Sequence, residues 1–252
     1  MNSPNSVHTA VLLLAGNHPR HNDEVENLSY GLVEVNGRTL VQCTVEQLVK
    51  SGFKKILIVT GQRSKALQIV SENPAVEVMY DALFADFGSM YALRRAVSKI
   101  QFPFLLIESN ILFETRLIQL AQTMAQPNGV LVSTSKQPAT SILAEGINNR
   151  LLAFAPRGEE SNAQQTPSLV SLGIFKISRS MFAHMLAYAV ERAYTDPFLD
   201  HIDCISGIAH TVDIRMVGEK DMRWTQVGSS GDMTKALNYF YPLFIQQEEQ
   251  LR

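Results

Sequence analysis

Val7-His8-Thr9-Ala10-Val11-Leu12-Leu13-Leu14 is a short, nearly continuous apolar run that ends in Ala15-Gly16. Without polar alternation, such a run suits a strand buried on both faces of a parallel sheet. The same grammar repeats downstream. Thr39–Ser51 places Leu40, Val41, Val45, Leu48 and Val49 at helical spacing and is closed by Gly52. Ile56–Thr60 reads as a second buried strand and Arg63–Ser71 as a helix. Val76–Tyr80, Phe102–Ile107 and Val130–Ser133 read as further strands, with helices at Ser89–Ser98 and Thr115–Ala125 between them.

Alternating strands and helices with short connections imply an α/β fold with a mostly parallel, Rossmann-like sheet and helices on both faces. Ligands on such sheets gather at the carboxyl ends of the strands, so the loops after Leu14 and Ile107 are the ones to watch. The second half is mixed. Ile142–Ala144, Leu151–Phe154 and Ser168–Ile177 read as a strand meander, with Arg157–Thr166 as a polar surface loop. Ser178–Arg192 reads as a helix with Ser178 or Ser180 as N-cap, Pro197–Ile205 as a shorter helix and Thr211–Val217 as a strand. Asp232–Glu248 reads as a closing helix that Pro242 bends or divides. Residues 1–252 form a single domain on this reading, in two halves of about 7–135 and 136–252, with no linker between them.

Composition narrows the function classes. The 252 residues carry 22 Lys and Arg against 24 Asp and Glu, so no broad field points to nucleic acid or an anionic membrane. Residues 1–9 lack the basic start and apolar core of a secretory signal, and no apolar stretch approaches the roughly 20 residues of a membrane span. Cys43 and Cys204 fit no metal-site spacing and read as reduced thiols, which suits the cytoplasm. Motifs of serine hydrolases, zinc proteases and dithiol redox proteins are absent from the sequence.

Several segments, in order, carry a resemblance. Val11-Leu12-Leu13-Leu14-Ala15-Gly16, then Arg20, then Gly31-Leu32-Val33-Glu34-Val35-Asn36-Gly37 resembles the opening signature of sugar-phosphate nucleotidyltransferases. In that family a Leu-Ala-Ala-Gly turn and a Gly-x-Gly-x-Arg loop precede Pro-Lys and a Leu-x-x-Val-x-Gly strand. Ile56–Gly61 is similar to the family's second strand. Tyr80–Leu93, with Gly88-Ser89-Met90-Tyr91, resembles the base-binding segment of its phosphocholine and aminoethylphosphonate cytidylyltransferase branch. Leu105-Leu106-Ile107-Glu108-Ser109-Asn110 resembles the branch's metal-binding strand end, and Trp224–Val227 its late Trp-x-Glu-Ile-Asp segment. The resemblance covers nearly the whole chain and implies a nucleotide-binding first half and an acceptor-side second half. It implies nucleotide contacts at Ala15, Gly16, Arg20, Asp81, Gly88 and Ser89, and acceptor-side roles for Glu108, Asp196 and Trp224.

The implied chemistry is attack by a phosphate or phosphonate oxygen on the α-phosphorus of a nucleoside triphosphate, releasing pyrophosphate. It needs backbone N–H groups and cations on the phosphates, and carboxylates to hold Mg²⁺. This sequence departs from the pattern at those points. His18 stands where the family has its second glycine, and Pro19, which has no N–H, follows. Tyr30 replaces the phosphate-binding lysine. Asn110 replaces the first metal-binding Asp, and Gly228 the late one, with Asp232 four residues beyond as the substitute to consider. Asp81 stands where the cytidylyltransferase branch often carries Asn. Such losses remove the electrostatic stabilisation that usually supplies most of the rate. The reading favoured is therefore a nucleotidyltransferase-like fold with a degraded site, serving as a ligand- or partner-binding regulator. The rival is a working enzyme that uses CTP or another nucleoside triphosphate, with Mg²⁺, on phosphocholine, aminoethylphosphonate or a sugar phosphate.

Individual residues carry bland readings beside the functional ones. Arg20 is equally an anion ligand or a solvated loop arginine, and His18 and His21 more often solvated than metal-bound. Glu108 is the best surviving carboxylate and, with Asn110, a candidate metal ligand where none is otherwise assigned, or else a strand-end Glu bonded to backbone. Met90 and Tyr91 line a base pocket or pack in the core, and Trp224 reads chiefly as packing. Asp196, Asp200 and Asp203, with His201 among them, read as an acidic stripe on the short helix. Tyr239, Phe240, Tyr241 and Phe244 cannot share one helix face, so the closing helix is expected to meet a second copy or another protein.

Overall fold

The computed structural model describes residues 7–14, 29–61, 63–83, 87–134, 141–156, 168–196, 198–218, 221–227 and 230–240. Strand β1 (Thr9–Leu14) leads to a short hairpin, β2 (Glu34–Val35) and β3 (Arg38–Thr39), and then to helix α1 (Leu40–Lys50). The alternation continues through β4 (Lys55–Thr60), α2 (Lys65–Ser71), β5 (Val76–Tyr80), α3 (Ser89–Ala96), β6 (Phe104–Glu108), β7 (Ile111–Phe113), α4 (Thr115–Thr123) and β8 (Gly129–Ser133). The second half adds β9 (Ile142–Ile147), β10 (Arg150–Pro156), β11 (Ser168–Ile177), α5 (Arg179–Arg192), α6 (His201–Ile208), β12 (Arg215–Val217), β13 (Trp224–Gln226) and α7 (Ser230–Lys235).

Local chemistry explains the helix boundaries. The Thr39 hydroxyl accepts from the Gln42 N–H while the Gln42 side chain accepts from the Thr39 N–H, a reciprocal cap that starts α1. Gly52, at φ +81°, ends that segment in a conformation costly for other residues. Ser178, not Ser180, caps α5, its hydroxyl accepting from the Met181 N–H at 3.1 Å.

Nine strands form one sheet in the order β5-β4-β1-β6-β11-β8-β12-β10-β9. The first four are parallel, with Leu12 opposite Ile58 on one side and Ile107 on the other. β11 then inserts antiparallel between β6 and β8, and β9 pairs with both β10 and β11. The two halves read from sequence thus share a single sheet. Alternate residues serve opposite faces. Val11, Leu13, Leu57, Val59, Leu106 and Phe175 pack against α3, α5 and α6, whereas Leu12, Leu14, Ile58, Leu105 and Ile107 pack with apolar residues of α1, α2 and α4. This double burial is why the strands read as unbroken apolar runs.

Lys176 is the exception within β11. It is 1% exposed and its Nζ donates to the Met124 carbonyl at 2.5 Å, where α4 has just ended. Burial lowers its pKa.

Several expected elements are corrected. The expected helix at Pro197–Ile205 is α6, His201–Ile208, and the strand at Thr211–Val217 shortens to Arg215–Val217, because turns at 209–212 intervene. The expected closing helix begins as α7 and becomes a wide turn over Ala236–Phe240. Pro242, Tyr241 and Phe244 lie outside the described residues, as do the side chains of Tyr239 and Phe240 and the loop 157–166. β7 and β13, unforeseen, pair with each other in a separate two-stranded sheet. No helix among the described residues is long and apolar enough to cross a membrane.

Ile107 is fully buried in the central strand pair. Ile107→Ala is expected to lower unfolding free energy by about 2–5 kcal/mol through lost transfer energy and a residual cavity. Chemical denaturation of both proteins measures it.

Candidate functional site at the carboxyl edge of the sheet

The parallel strands end together, and three groups of residues collect at that edge. The first surrounds Asn110. β7 and β13 pair antiparallel, Ile111 opposite Gln226, and the next rung is Val227 N–H donating to the Asn110 carbonyl at 2.8 Å. The β6–β7 turn is thereby bound to the chain just before position 228. On its other side Gly31 presses against Ser109, so closely that a Cβ on residue 31 would meet the Ser109 Cβ at 2.6 Å. Tyr30 packs partly buried on the small cluster of Val35, Leu40, Leu112, Val227 and Ala236. Tyr30 and Asn110, which the resemblance sets against a lysine and an Asp, therefore share one corner. Gly228 lies outside the described residues, as do Ala15, Gly16, His18, Arg20 and His21.

The second group is built on Glu108. Its Oε1 lies 3.2 Å from His201 Nε2, and a carboxylate only accepts, so the ring donates there. His201 Nδ1 lies 2.8 Å from Ser89 Oγ, which also accepts the His201 backbone N–H at 2.9 Å. Gly173, at φ +70°, leaves room beneath the carboxylate, since a Cβ there would meet Glu108 Oε2 at 2.6 Å. Gly88 is equally confined. A Cβ on it would lie 2.1 Å from the Leu199 carbonyl oxygen. Helices α3 and α6 thus meet end to end over the tip of β6, joined by the chain Ser89–His201–Glu108. Sequence reading named Glu108 and Ser89 separately and gave His201 no function. Its signal was local, since His201 directly follows a capping Asp.

That cap corrects the acidic stripe. Asp200 is the N-cap of α6, accepting from the Asp203 N–H at 2.8 Å, and Asp203 accepts back from the Asp200 N–H. Asp196 precedes the helix and accepts from the Phe198 N–H at 3.1 Å. These carboxylates organise the helix start rather than coating a helix face.

The third group holds Asp81, 2% exposed at the end of β5. Its N–H donates to the Thr60 carbonyl, Oδ1 accepts from the Leu83 N–H, and Oδ2 pairs with Arg95 Nε at 3.1 Å. Tyr91 stacks on Phe87 with ring centroids 4.5 Å apart, whereas Met90 is core. Trp224 is 1% exposed and also lies in the core, opposite Phe113 in the β7–β13 ladder.

These residues do not fit a Mg²⁺ ion in the way the resemblance implies. Glu108 is bonded to an imidazole, Asn110 offers a neutral amide, and Asp232, 4% exposed, is buried in α7. No group of three or more His, Cys, Asp or Glu suited to a metal occurs among the described residues. Cys43 and Cys204 are not in a disulfide, and burial raises the Cys204 pKa well above its usual value.

The Glu108–His201 pair makes stability depend on pH. Burial alone would lower the His201 pKa, but the hydrogen bond and charge of Glu108, with Asp200 and Asp203 nearby, offset this and raise it above 6.5. A raised folded-state pKa contributes stability that is full below the unfolded value of 6.5 and is lost as pH rises through the folded value. The unfolding free energy of the native chain minus that of His201→Gln should therefore be largest below pH 6.5 and shrink above it. A difference independent of pH would contradict the assignment of charge to this pair.

Known proteins share this architecture. No family model matches the sequence. "Bifunctional protein GlmU" of Methanococcus maripaludis is 22% identical over 236 residues in one strain, 92% of this chain, and 23% over 238 residues in another. The chain spans about half the length of these relatives, 54%. A choline-phosphate cytidylyltransferase of Streptococcus pneumoniae is 26% identical over 105 residues, 42% of this chain and 46% of that protein. Among solved structures, the inositol-1-phosphate CTP transferase of T. maritima superposes with a TM-score of 0.72 over 93% of this chain and 98% of its own, at 15% identity. The CTP:phosphocholine cytidylyltransferase of Streptococcus pneumoniae gives 0.69 over 92% and 98%, also at 15%. At that identity the superpositions bear on fold alone. Sequence relatives running nearly the length of the chain, together with this shared architecture, place the chain in the nucleotidyltransferase superfamily, related to GlmU and to cytidylyltransferase-like proteins.

Proposed function

We propose that the chain is a nucleotidyltransferase-fold protein whose metal and phosphate site is degraded, and that it acts by binding a nucleotide or phosphate ester, or a protein partner, as a regulator. The nearest branch on this reading is that of the phosphocholine and aminoethylphosphonate cytidylyltransferases, and Cys43 and Cys204, which form no disulfide, suit the cytoplasm. The single observation that carries the reading is the state of Glu108. The one carboxylate at the tip of β6 is committed to His201 and backed by Gly173, while the neighbouring position is the neutral Asn110. Binding would fall to backbone and side chains around the β1 and β5 ends, with Ala15, Gly16 and Arg20 on phosphate and Asp81, Gly88 and Ser89 on the nucleoside side. Glu108, Asp196 and Trp224 belong to the acceptor side in this proposal.

Fold similarity does not carry activity unless the site carries it too. Calorimetric titration with CTP, with and without Mg²⁺, tests the reading. The metal should raise affinity only slightly, and no pyrophosphate should be released with phosphocholine, aminoethylphosphonate or sugar phosphates across the nucleoside triphosphates. A large Mg²⁺-dependent gain in affinity, or turnover with any of these pairs, would establish the rival reading of a working transferase.

A further inference from the structure

Ser89, His201 and Glu108 come from three separate elements and stand in the order that makes a serine hydroxyl reactive. Nε2 of the ring donates to Glu108 Oε1 at 3.2 Å, so Nδ1 of the neutral imidazole is an acceptor. Ser89 Oγ lies 2.8 Å from that nitrogen and donates its proton there. A hydroxyl has one proton and two lone pairs. The His201 backbone N–H takes one lone pair at 2.9 Å, which leaves the other for attack. That N–H also lowers the cost of losing the proton, because a hydrogen bond to the charged form favours it. Ser89 is the first residue of α3, where the helix field stabilises negative charge. Ser89 and Glu108 are part-exposed and His201 is buried between them, so the base is held in place while the hydroxyl meets solvent. Phe175 packs edge-on against the imidazole, with ring centroids 5.5 Å apart.

We propose that Ser89 is a nucleophile activated by His201, and that this edge hydrolyses carboxylic esters without a metal. A hydroxyl within reach of a base that a third group orients is the arrangement nucleophilic catalysis requires, whatever the fold. Ser89 Oγ bonds to the ester carbonyl carbon while its proton passes to His201 Nδ1. The tetrahedral adduct then expels the alcohol, whose oxygen takes that proton, and leaves an acyl group on Ser89. Water repeats the sequence, giving its proton to Nδ1 and releasing the acid as the proton returns to Ser89. No electrons are exchanged, and water is the only co-reactant. Glu108 is a positioning residue. It keeps Nε2 protonated, so that Nδ1 is the basic nitrogen, and its charge stabilises the imidazolium that forms in each half. The same bond that withdraws Glu108 from a cation thus turns the ring toward Ser89. The chemistry needs neither Mg²⁺ nor a nucleotide, so it stands independently of the proposed function.

Treatment of the full chain with a fluorophosphonate, followed by peptide mass spectrometry, tests this in the absence of Mg²⁺ and nucleotide. The native chain should acquire one adduct, on Ser89, and the urea-unfolded chain none there. His201→Gln should slow labelling by about 10²-fold or more, the usual contribution of a general base. Glu108→Gln, which keeps an acceptor for Nε2 but loses the charge, should slow it as well, and carries the comparison if His201→Gln does not fold. The native chain should also hydrolyse p-nitrophenyl acetate faster than Ser89→Ala. An unlabelled Ser89 in the folded native chain overturns the proposal. So does labelling at an equal rate in a folded His201→Gln or Glu108→Gln variant, or ester hydrolysis that Ser89→Ala leaves unchanged.

Discussion

Strand β1 is hydrogen-bonded to β4 on one edge and β6 on the other, and both its faces are covered by helices. Nothing polar can be carried along it, because an unpaired polar side chain at that depth costs several times what an ordinary contact contributes. Polar side chains are therefore driven to the strand ends. At the carboxyl ends, the Thr60 carbonyl receives the Asp81 N–H, Glu108 ends β6 beside Leu13, and Gly31, in the short turn before the β2–β3 hairpin, closes over Ser109 and Leu14. The site edge is a consequence of the same burial that holds the sheet together.

The second half of the chain completes that edge. β11 inserts beside β6 and places Gly173 beneath Glu108, and α6 delivers His201 to the same carboxylate. β13 pairs with β7 and brings Val227 to Asn110. Each of these contacts is long-range in sequence. Together they direct the carboxylate at the tip of β6 to an imidazole. A carboxylate with one oxygen in such a bond has less to offer a cation, and Asn110 adds a neutral amide rather than a second charge, which is the ground of the proposed function.

The sheet and most helices were legible in the sequence because burial on two faces, helical spacing and capping residues such as Thr39 and Ser178 are local signals. The β7–β13 ladder was not, since Ile111-Leu112-Phe113 and Trp224-Thr225-Gln226 are too short to show a period and are strands only because each finds the other. The stripe reading of Asp196, Asp200 and Asp203 failed because an Asp before a helix and one three residues later satisfy backbone N–H groups as readily as they face water. Lys176 interrupts an apolar run, and the Met124 carbonyl at the end of α4 that receives it is distant in sequence. For the site, the resemblance pointed to Glu108 and Ser89. Their connection through His201 depends on how α3 and α6 meet, which no spacing encodes.

On the proposed function, lost charge at this edge, rather than a lost fold, separates the chain from a metal-dependent transferase. The most direct measurement is CTP affinity, with and without Mg²⁺, for the combined variant Tyr30→Lys/Asn110→Asp/Gly228→Asp against the native chain. Groups that act as a unit are restored together, so single changes should do little while the triple change gains Mg²⁺-dependent binding. Unaltered affinity in a triple variant with native circular dichroism and melting would contradict it.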